Sequence, residues 1–171
     1  MKKITLKAIL IYICSLALVF GMGNAFCTLA TAETVYVAEV NSVCYQNYED
    51  AWNTVKSGGE ITMLDNWTLR GLLTVNENAV VTVNMNGFMI NRGLNSSEDS
   101  GQVFLVKPNA VLNINGQKDS QTEHKGTIQN NIWHYNDNGN YTIKGSLITG
   151  GYNYNGGGAV HIQKNAQVNI N

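Results

Sequence analysis

The chain has 171 residues, of which 13% are charged and 44% hydrophobic, with 17 glycines and a single proline, Pro108. Its formal net charge is −1; removing residues 1–32 takes away three of the 11 basic residues and none of the 12 acidic ones, which leaves −4. This balance argues against the basic face that nucleic-acid binding needs, so we expect no nucleic-acid partner. Few helix formers and many turn formers favour short strands joined by tight turns.

The first 32 residues have the features of a secretory signal peptide. Three lysines lie within the first seven residues, the run 8–20 carries no charge, and Ala30-Thr31-Ala32 supplies small side chains where signal peptidase cleaves. The uninterrupted apolar stretch is shorter than the about 20 residues that a membrane-spanning helix needs. We therefore expect a mature chain that starts at Glu33, a secreted or cell-surface location, and membrane contact only through the signal peptide before cleavage.

The cysteines follow from this cleavage site. Phe26 is too bulky for the small residue that precedes a lipidated cysteine, so we expect no lipid on Cys27. Cleavage after Ala32 also removes Cys14 and Cys27 and leaves Cys44 alone. No intrachain disulfide is then expected, and stability has to come from packing.

A short amphipathic helix is predicted near the start of the mature chain, because large side chains recur at helical spacing: Tyr45, Tyr48, Trp52 and Val55. Asn47 suits the N-cap position, and Gly58 lies just beyond the last turn. We expect this helix to cover the open end of the sheets that follow. The first strand is predicted at 60–64, and the segment 35–37 is a candidate strand before the helix.

Three segments align without gaps on an Asn-Ala pair: LLTVNENAVVTVN (72–84), VFLVKPNAVLNIN (103–115) and AVHIQKNAQVNIN (159–171). In each, large apolar residues stand six and four positions before the alanine and two and four positions after it. Each segment is therefore predicted to be a strand, a turn and a second strand with one buried face, and stacked copies would share a core. Two inward stacks are expected, one of Leu73, Phe104 and Val160 and one of Val83, Ile114 and Ile170.

The alanines of the repeat are unevenly spaced. Ala79 and Ala110 lie 31 residues apart, whereas Ala110 and Ala166 lie 56 apart, so the second interval holds either two coils or one coil with an insertion. The segment 126–128 is predicted as the third strand of a coil and 130–140 as an inserted loop. The segment 141–149 could restore another strand pair.

These segments resemble the right-handed parallel β-helix, or pectin-lyase-like, repeat proteins of bacterial secreted and surface type. The resemblance covers 45–171 and rests on the helix, on GGEITML, VVTVNMNGFMI and VFLVKPNAVLNING, and on the glycine-rich ITGGYNYNGGGAVHI. It implies an all-β fold, a parallel β-solenoid with a short N-terminal capping α-helix. The expected domains are a signal peptide (1–32), an N-terminal segment with the helix (33–59) and β-helix coils (60–171), incomplete at the C-terminus because no capping element is recognisable there.

A catalytic face on such a scaffold would need carboxylates at the same outward position of successive coils. The aligned outward positions contain none: Thr74, Leu105 and His161; Asn76, Lys107 and Gln163; Val80, Val111 and Gln167; Thr82, Asn113 and Asn169. We therefore expect no catalytic residue, no metal site and no cofactor within these residues.

The remaining polar residues are interpreted as structural or solvated. We expect His124 and His134 to be solvated loop histidines, and Arg70 and Arg92 to be surface or turn residues. A turn is expected around Asp137. Stacked amides are expected at the end of each second strand, as a structural ladder of Asn84, Asn115 and Asn171.

Aromatic residues are the candidates for a sugar-stacking surface: Trp67, Trp133, Tyr135, Tyr141, Tyr152 and Tyr154. Of these, Trp133, Tyr135, Tyr152 and Tyr154 are the predicted ligand contacts, with packing of the loops as the competing interpretation. The expected partner is an extracellular glycan or cell-wall polysaccharide. Two functions stay open: a non-catalytic secreted or surface module, adhesin-like or scaffolding, and the N-terminal part of a polysaccharide lyase or glycoside hydrolase whose catalytic coils lie beyond residue 171.

Overall fold

The computed structural model describes residues 35–117, 122–129, 132–154 and 158–171. The predicted signal peptide, residues 1–32, lies outside these ranges. Within them the chain is mostly short β-strands with one short helix, in agreement with the all-β prediction. No helix in the described ranges is long and apolar enough to cross a membrane.

The elements follow one another in this order: β1 (Ala38–Val40), β2 (Val43–Tyr45), α1 (Tyr48–Val55), β3 (Gly59–Met63), β4 (Trp67–Thr68), β5 (Leu73–Val75), β6 (Val80–Asn84), β7 (Met89–Asn91), β8 (Phe104–Val106), β9 (Val111–Asn115), β10 (Glu123–Gln129), β11 (Ile132–Tyr135), β12 (Tyr141–Lys144), β13 (Leu147–Thr149), β14 (Val160–Ile162) and β15 (Gln167–Ile170).

The predicted helix is present as α1. The Asn47 side chain accepts a hydrogen bond of 2.8 Å from the Glu49 amide, which caps the first turn. Ala51, Trp52 and Val55 are buried, and the Trp52 ring lies 5.8 Å from that of Phe104. The helix therefore packs its apolar face against the interior next to the first parallel strands.

The strand before the helix starts later than predicted. The sequence pattern placed it at 35–37, but β1 spans Ala38–Val40 and pairs antiparallel with both β2 and β3. Ala38 and Val40 are buried, whereas Val35 is 63% exposed. The strand therefore lies where two alternate side chains are buried. The valines and tyrosine of the segment 35–37 favour a strand but do not set its position.

From β3 onward, the strands other than β10, β11 and β12 form three parallel series. The chain visits the three series in a fixed cyclic order. One series is β3, β6, β9 and β15, the second is β4, β7 and β13, and the third is β5, β8 and β14. All pairs within these series are parallel. Each passage through the three series, here called a coil, thus adds one strand to each of these three sheets.

The predicted stacks have the expected register. Leu73 is level with Phe104 and Phe104 with Val160, while Val83 is level with Ile114 and Ile114 with Ile170. Leu73, Phe104, Val83 and Ile114 are buried, but Ile170 is 72% exposed. The last member of each stack is less covered because β14 and β15 are edge strands of their sheets in the described ranges.

The Asn-Ala anchor of the repeat has a conformational reason. Asn78, Asn109 and Asn165 have φ values of 60°, 58° and 58°, in the left-handed region. Asparagine adopts this region more readily than other residues with a Cβ atom, whose side chains meet the following carbonyl. The turn between the two strands of each repeat therefore selects asparagine at this position.

The long interval of the repeat holds one coil and an insertion. The interval does not contain a second coil, because β15 pairs directly with β9. The inserted strands β10, β11 and β12 form a separate antiparallel sheet, here called the insertion sheet. The prediction of a coil strand at 126–128 is wrong, since these residues belong to β10, and the predicted loop 130–140 includes β11. Pairing across short connections is favoured over pairing with a distant coil.

The expectation for Cys44 also differs from the structure. Cys44 lies in β2 and is disulfide-bonded, whereas the sequence predicted an unpaired thiol. The chain has two other cysteines, Cys14 and Cys27, and both lie outside the described ranges. The prediction of an unpaired Cys44 concerned the chain cleaved after Ala32, which contains neither of these two residues.

Candidate functional site

A large concave region of the described structure lies between the insertion sheet and the loops at 94–95 and 149–152. It consists of three adjacent cavities of about 950, 430 and 220 Å³, all of which are lined by Asn95 and His134. We call this region the insertion cleft. Insertion residues form one wall and coil loops the other, so the cleft exists only because the insertion folds back over the coils.

The insertion-side wall is built around Trp133. This residue in β11 packs over Gly126 of β10, where a Cβ atom would collide with the indole ring. The indole Nε1 is buried and has no hydrogen-bond partner among the described residues. Since an unsatisfied buried donor costs about 1–3 kcal/mol, the polar group of Trp133 does not stabilise this position. The contribution of Trp133 to the cleft is therefore its apolar aromatic surface.

The coil-side wall depends on close backbone packing. A Cβ atom on Gly150, whose φ is 72°, would collide with the Asn91 side chain and the Gly93 backbone. The Leu94 amide donates to the Gly150 carbonyl oxygen at 2.9 Å, and the Arg92 amide to that of Thr149 at 3.0 Å. These bonds hold the 92–95 loop against the start of the glycine-rich segment.

A buried histidine joins the insertion to the coils. The Nε2 atom of His124 lies 3.1 Å from the Gly87 carbonyl oxygen and 3.0 Å from that of Gly145, so it is the N–H donor to both. The side chain is 1% exposed. The expectation of a solvated loop histidine is therefore wrong for His124, because its ring N–H replaces water as the partner of two turn carbonyls.

The tip of the insertion sheet is an ordered turn. The Asn136 side chain accepts from the Asn138 amide at 3.0 Å, and the Tyr135 hydroxyl donates to Asp137 Oδ1 at 2.5 Å. This hydrogen bond, with a smaller contribution from burial, raises the pKa of Tyr135 above its ordinary value of 10.0. The turn predicted around Asp137 is present.

The structure brings three of the four predicted ligand contacts together. Trp133 and Tyr152 line the largest cavity, and Tyr135 lines the two smaller ones. Tyr154 is 69% exposed and lies outside the cleft. Trp67, the other tryptophan considered, is a core residue that is 1% exposed and stacks on Tyr48 with ring centroids 5.9 Å apart.

The polar residues of the cleft were not predicted. Asn95, Gln129 and His134 line it beside the aromatic rings. Asn95 lies in a loop of serines and acids, and Gln129 at the end of β10, so neither belongs to a repeat or a motif. These residues come together only because the insertion folds over the 92–95 loop, and the sequence does not reveal that contact.

Arg92 is more buried than a surface arginine. Its side chain is 10% exposed, pairs with Glu98 at 3.6 Å, and has a buried Nε with no partner among the described residues. Arg70 is exposed, as expected. In the described part of the chain, no three His, Cys, Asp or Glu side chains converge in a metal-binding arrangement.

Comparisons with protein-family models, curated proteins and solved structures give no match for this chain. The chemistry of the cleft therefore has to be inferred from its geometry. Aromatic surface from Trp133 and Tyr152 lies beside amides that can both donate and accept hydrogen bonds. Such a combination suits a neutral, hydroxyl-rich ligand with an apolar face.

Proposed function

We propose that this protein is a secreted or cell-surface right-handed parallel β-helix whose insertion cleft binds a neutral glycan without cleaving it. The cyclic order of the three parallel strand series supports the β-helix, because each crossover returns the chain to the next position of the same sheet. Crossovers between parallel strands are right-handed in nearly all proteins. This is also the fold implied by the resemblance to pectin-lyase-like repeat proteins.

The observation that favours binding over catalysis is the composition of the cleft. Its residues in the described ranges include one carboxylate, Asp137, and that group accepts the hydrogen bond of Tyr135. Glycoside hydrolysis uses a pair of carboxylates on either side of the scissile bond. The Asp137 carboxylate is hydrogen-bonded to Tyr135 and lies beside aromatic and amide groups. This composition fits a site that binds a sugar but lacks the two carboxylates that would act as general acid and base.

Calorimetric titration of the full exported chain with soluble neutral oligosaccharides and with oligouronates tests the proposed site. We expect a neutral oligosaccharide to bind, and Tyr152→Ala to weaken binding by about tenfold, which corresponds to about 1.4 kcal/mol. Tyr154→Ala is the matched control, because it removes the same side chain from an exposed position outside the cleft. Equal affinity of both variants would place the ligand elsewhere, and release of new reducing ends would favour the enzyme interpretation.

Export is supported by the charged and apolar start of the chain and by the small residues Ala30-Thr31-Ala32 before the predicted cleavage site. The disulfide of Cys44 belongs to the uncleaved chain, because a mature chain that begins at Glu33 contains neither Cys14 nor Cys27. The intact mass of the exported protein, measured before and after reduction, tests cleavage. We expect a mass that begins at Glu33 and does not change on reduction, and a mass that still includes Lys2 and Lys3 would contradict cleavage.

A further inference from the structure

The outward face of the largest sheet is a regular array of amides and hydroxyls on the four parallel strands β3, β6, β9 and β15. Strand register arranges these groups in two rows. We call the two rows the amide face: Glu60, Thr82, Asn113 and Asn169 in one, and Thr62, Asn84, Asn115 and Asn171 in the other. This face is on the coils, and its residues do not line the insertion cleft.

Hydrogen bonds along each row fix the orientation of its side chains. Asn115 Nδ2 donates to Asn84 Oδ1 at 2.7 Å, and Asn171 Nδ2 donates to Asn115 Oδ1 at 3.0 Å. The predicted ladder is therefore present, and a second one runs beside it: Asn113 donates to Thr82 Oγ1 at 3.2 Å and Asn169 to Asn113 Oδ1 at 2.8 Å.

The ladders leave hydrogen-bonding capacity unused. An amide has two N–H donors and a carbonyl oxygen with two lone pairs, and a bond to each neighbour in the row takes one of each. Among the described residues, Asn113 and Asn115 thus keep one donor and one acceptor on a half-buried, outward-facing side chain. The amide face presents a fixed pattern of donors and acceptors to the solvent.

The charge and shape of the face limit its ligand. Glu60 is the one ionisable residue of the two rows, and its carboxylate accepts a hydrogen bond from Asn84 at the edge of the array. Beside the rows, Val80 is 55% exposed and is level with Val111, which adds apolar surface. A face that carries one carboxylate at its edge and otherwise only uncharged polar and apolar groups matches a neutral, hydroxyl-rich surface better than a charged polymer.

We propose that the amide face binds the ordered surface of a neutral polysaccharide, in which parallel chains present hydroxyl groups at a constant repeat. Neighbouring groups of the face repeat at about 4.8 Å across strands and about 6.6 Å along them. An exposed hydrogen bond contributes little net free energy, so a flexible single chain gains little against the entropy lost on ordering. A rigid surface instead engages many preordered amides at once.

Sedimentation of the full exported chain with insoluble cellulose and chitin particles tests this proposal. We expect the protein to leave the supernatant with at least one of the two polysaccharides, and Thr82→Lys to lower the partition coefficient by about tenfold. Thr74→Lys is the matched control, because Thr74 holds the same outward position in β5, on a different sheet. No depletion by either polysaccharide, or equal loss of binding in both variants, would overturn the proposal.

Three further controls isolate the contribution of the amide face to binding. Asn169→Lys changes the exposed end of the array and replaces Thr82→Lys if thermal unfolding shows that the latter is not folded. Adsorption to silica particles of equal area should be weak, and comparable adsorption would show a non-specific surface and contradict the proposal. Tyr152→Ala should leave sedimentation unchanged, so failure of the insertion cleft as a glycan site and failure of the amide face are distinguishable.

Discussion

The coils and the insertion sheet are held together by different physical means. In the coils, each buried position is level with an equivalent one in the next strand, as Leu73 is with Phe104, so the same contact is repeated. In the insertion sheet the important contacts occur once: Trp133 over Gly126, and His124 between two carbonyls. Repetition builds a core from many equivalent contacts, whereas single contacts create a specific concave site that individual substitutions can remove.

The largest effect is expected from a substitution in the repeated core. Phe104 is fully buried between Leu73 and Val160, so Phe104→Ala should lower the free energy of unfolding by about 3–5 kcal/mol. Urea denaturation followed by circular dichroism measures this loss. Tyr141→Ala, at a half-exposed position of the insertion sheet, is the comparison and should change the free energy much less. A loss below about 1 kcal/mol for Phe104→Ala would show that the stack is not a core.

A smaller and local effect is expected in the insertion. Gly126→Ala places a Cβ atom against the Trp133 ring, and such overpacking costs about 1–3 kcal/mol. We expect hydrogen exchange to become faster in β10, β11 and β12 while amides of β6 and β9 stay protected. Gly71→Ala is the control, because no atom lies within 4 Å of the position of its Cβ. Equal loss of protection in β6 would mean that the insertion and coils unfold as one unit.

The turns of the two regions should respond differently to the same change. Asn109 has a left-handed φ, so Asn109→Ala should cost about 1–2 kcal/mol, whereas Asn109→Gly should be nearly neutral. Asn138, in the insertion turn, is exposed and lacks a positive φ, so Asn138→Ala should change stability by less than about 0.5 kcal/mol. Thermal unfolding of the three variants gives the ranking. A larger cost for Asn109→Gly than for Asn109→Ala would contradict the backbone explanation.

The smallest effect is a pH dependence of the insertion turn. The pKa of Tyr135 is raised by the hydrogen bond to Asp137, so the folded turn holds the phenolic proton more tightly than the unfolded chain does. The resulting stabilisation is complete below the ordinary value of 10.0 and is lost as the pH rises through the raised pKa. Tyrosinate absorbance of the wild type and of Asp137→Asn measures it. The pKa of Tyr48 is also raised, mainly by burial, so Tyr48→Phe serves as the background for both titrations.

The same contrast explains what the sequence could predict. The inward stacks, the α1 cap and the Asn84 ladder depend on spacing that is visible in the chain, and their register or position is present in the structure. The insertion strands were misassigned because their pattern of alternating side chains does not specify which strand is the partner. His124 was assigned to solvent because its two acceptors, at Gly87 and Gly145, are distant in sequence and belong to ordinary turn glycines.

The spacing of the coils also has a consequence for the order in which the protein folds. Among the described elements the β1–β2 hairpin and then α1 come first, and β6 pairs only with β3 before it and β9 after it. From β6 onward, each strand of the three parallel series can therefore pair with a strand already synthesised, about one coil earlier, without waiting for the rest of the chain. A chain that emerges N-terminus first could fold vectorially, with the helix and hairpin as the template and each coil as the next step of growth. The insertion, which delays the following coil until residues 147–170, is then the expected pause in that process.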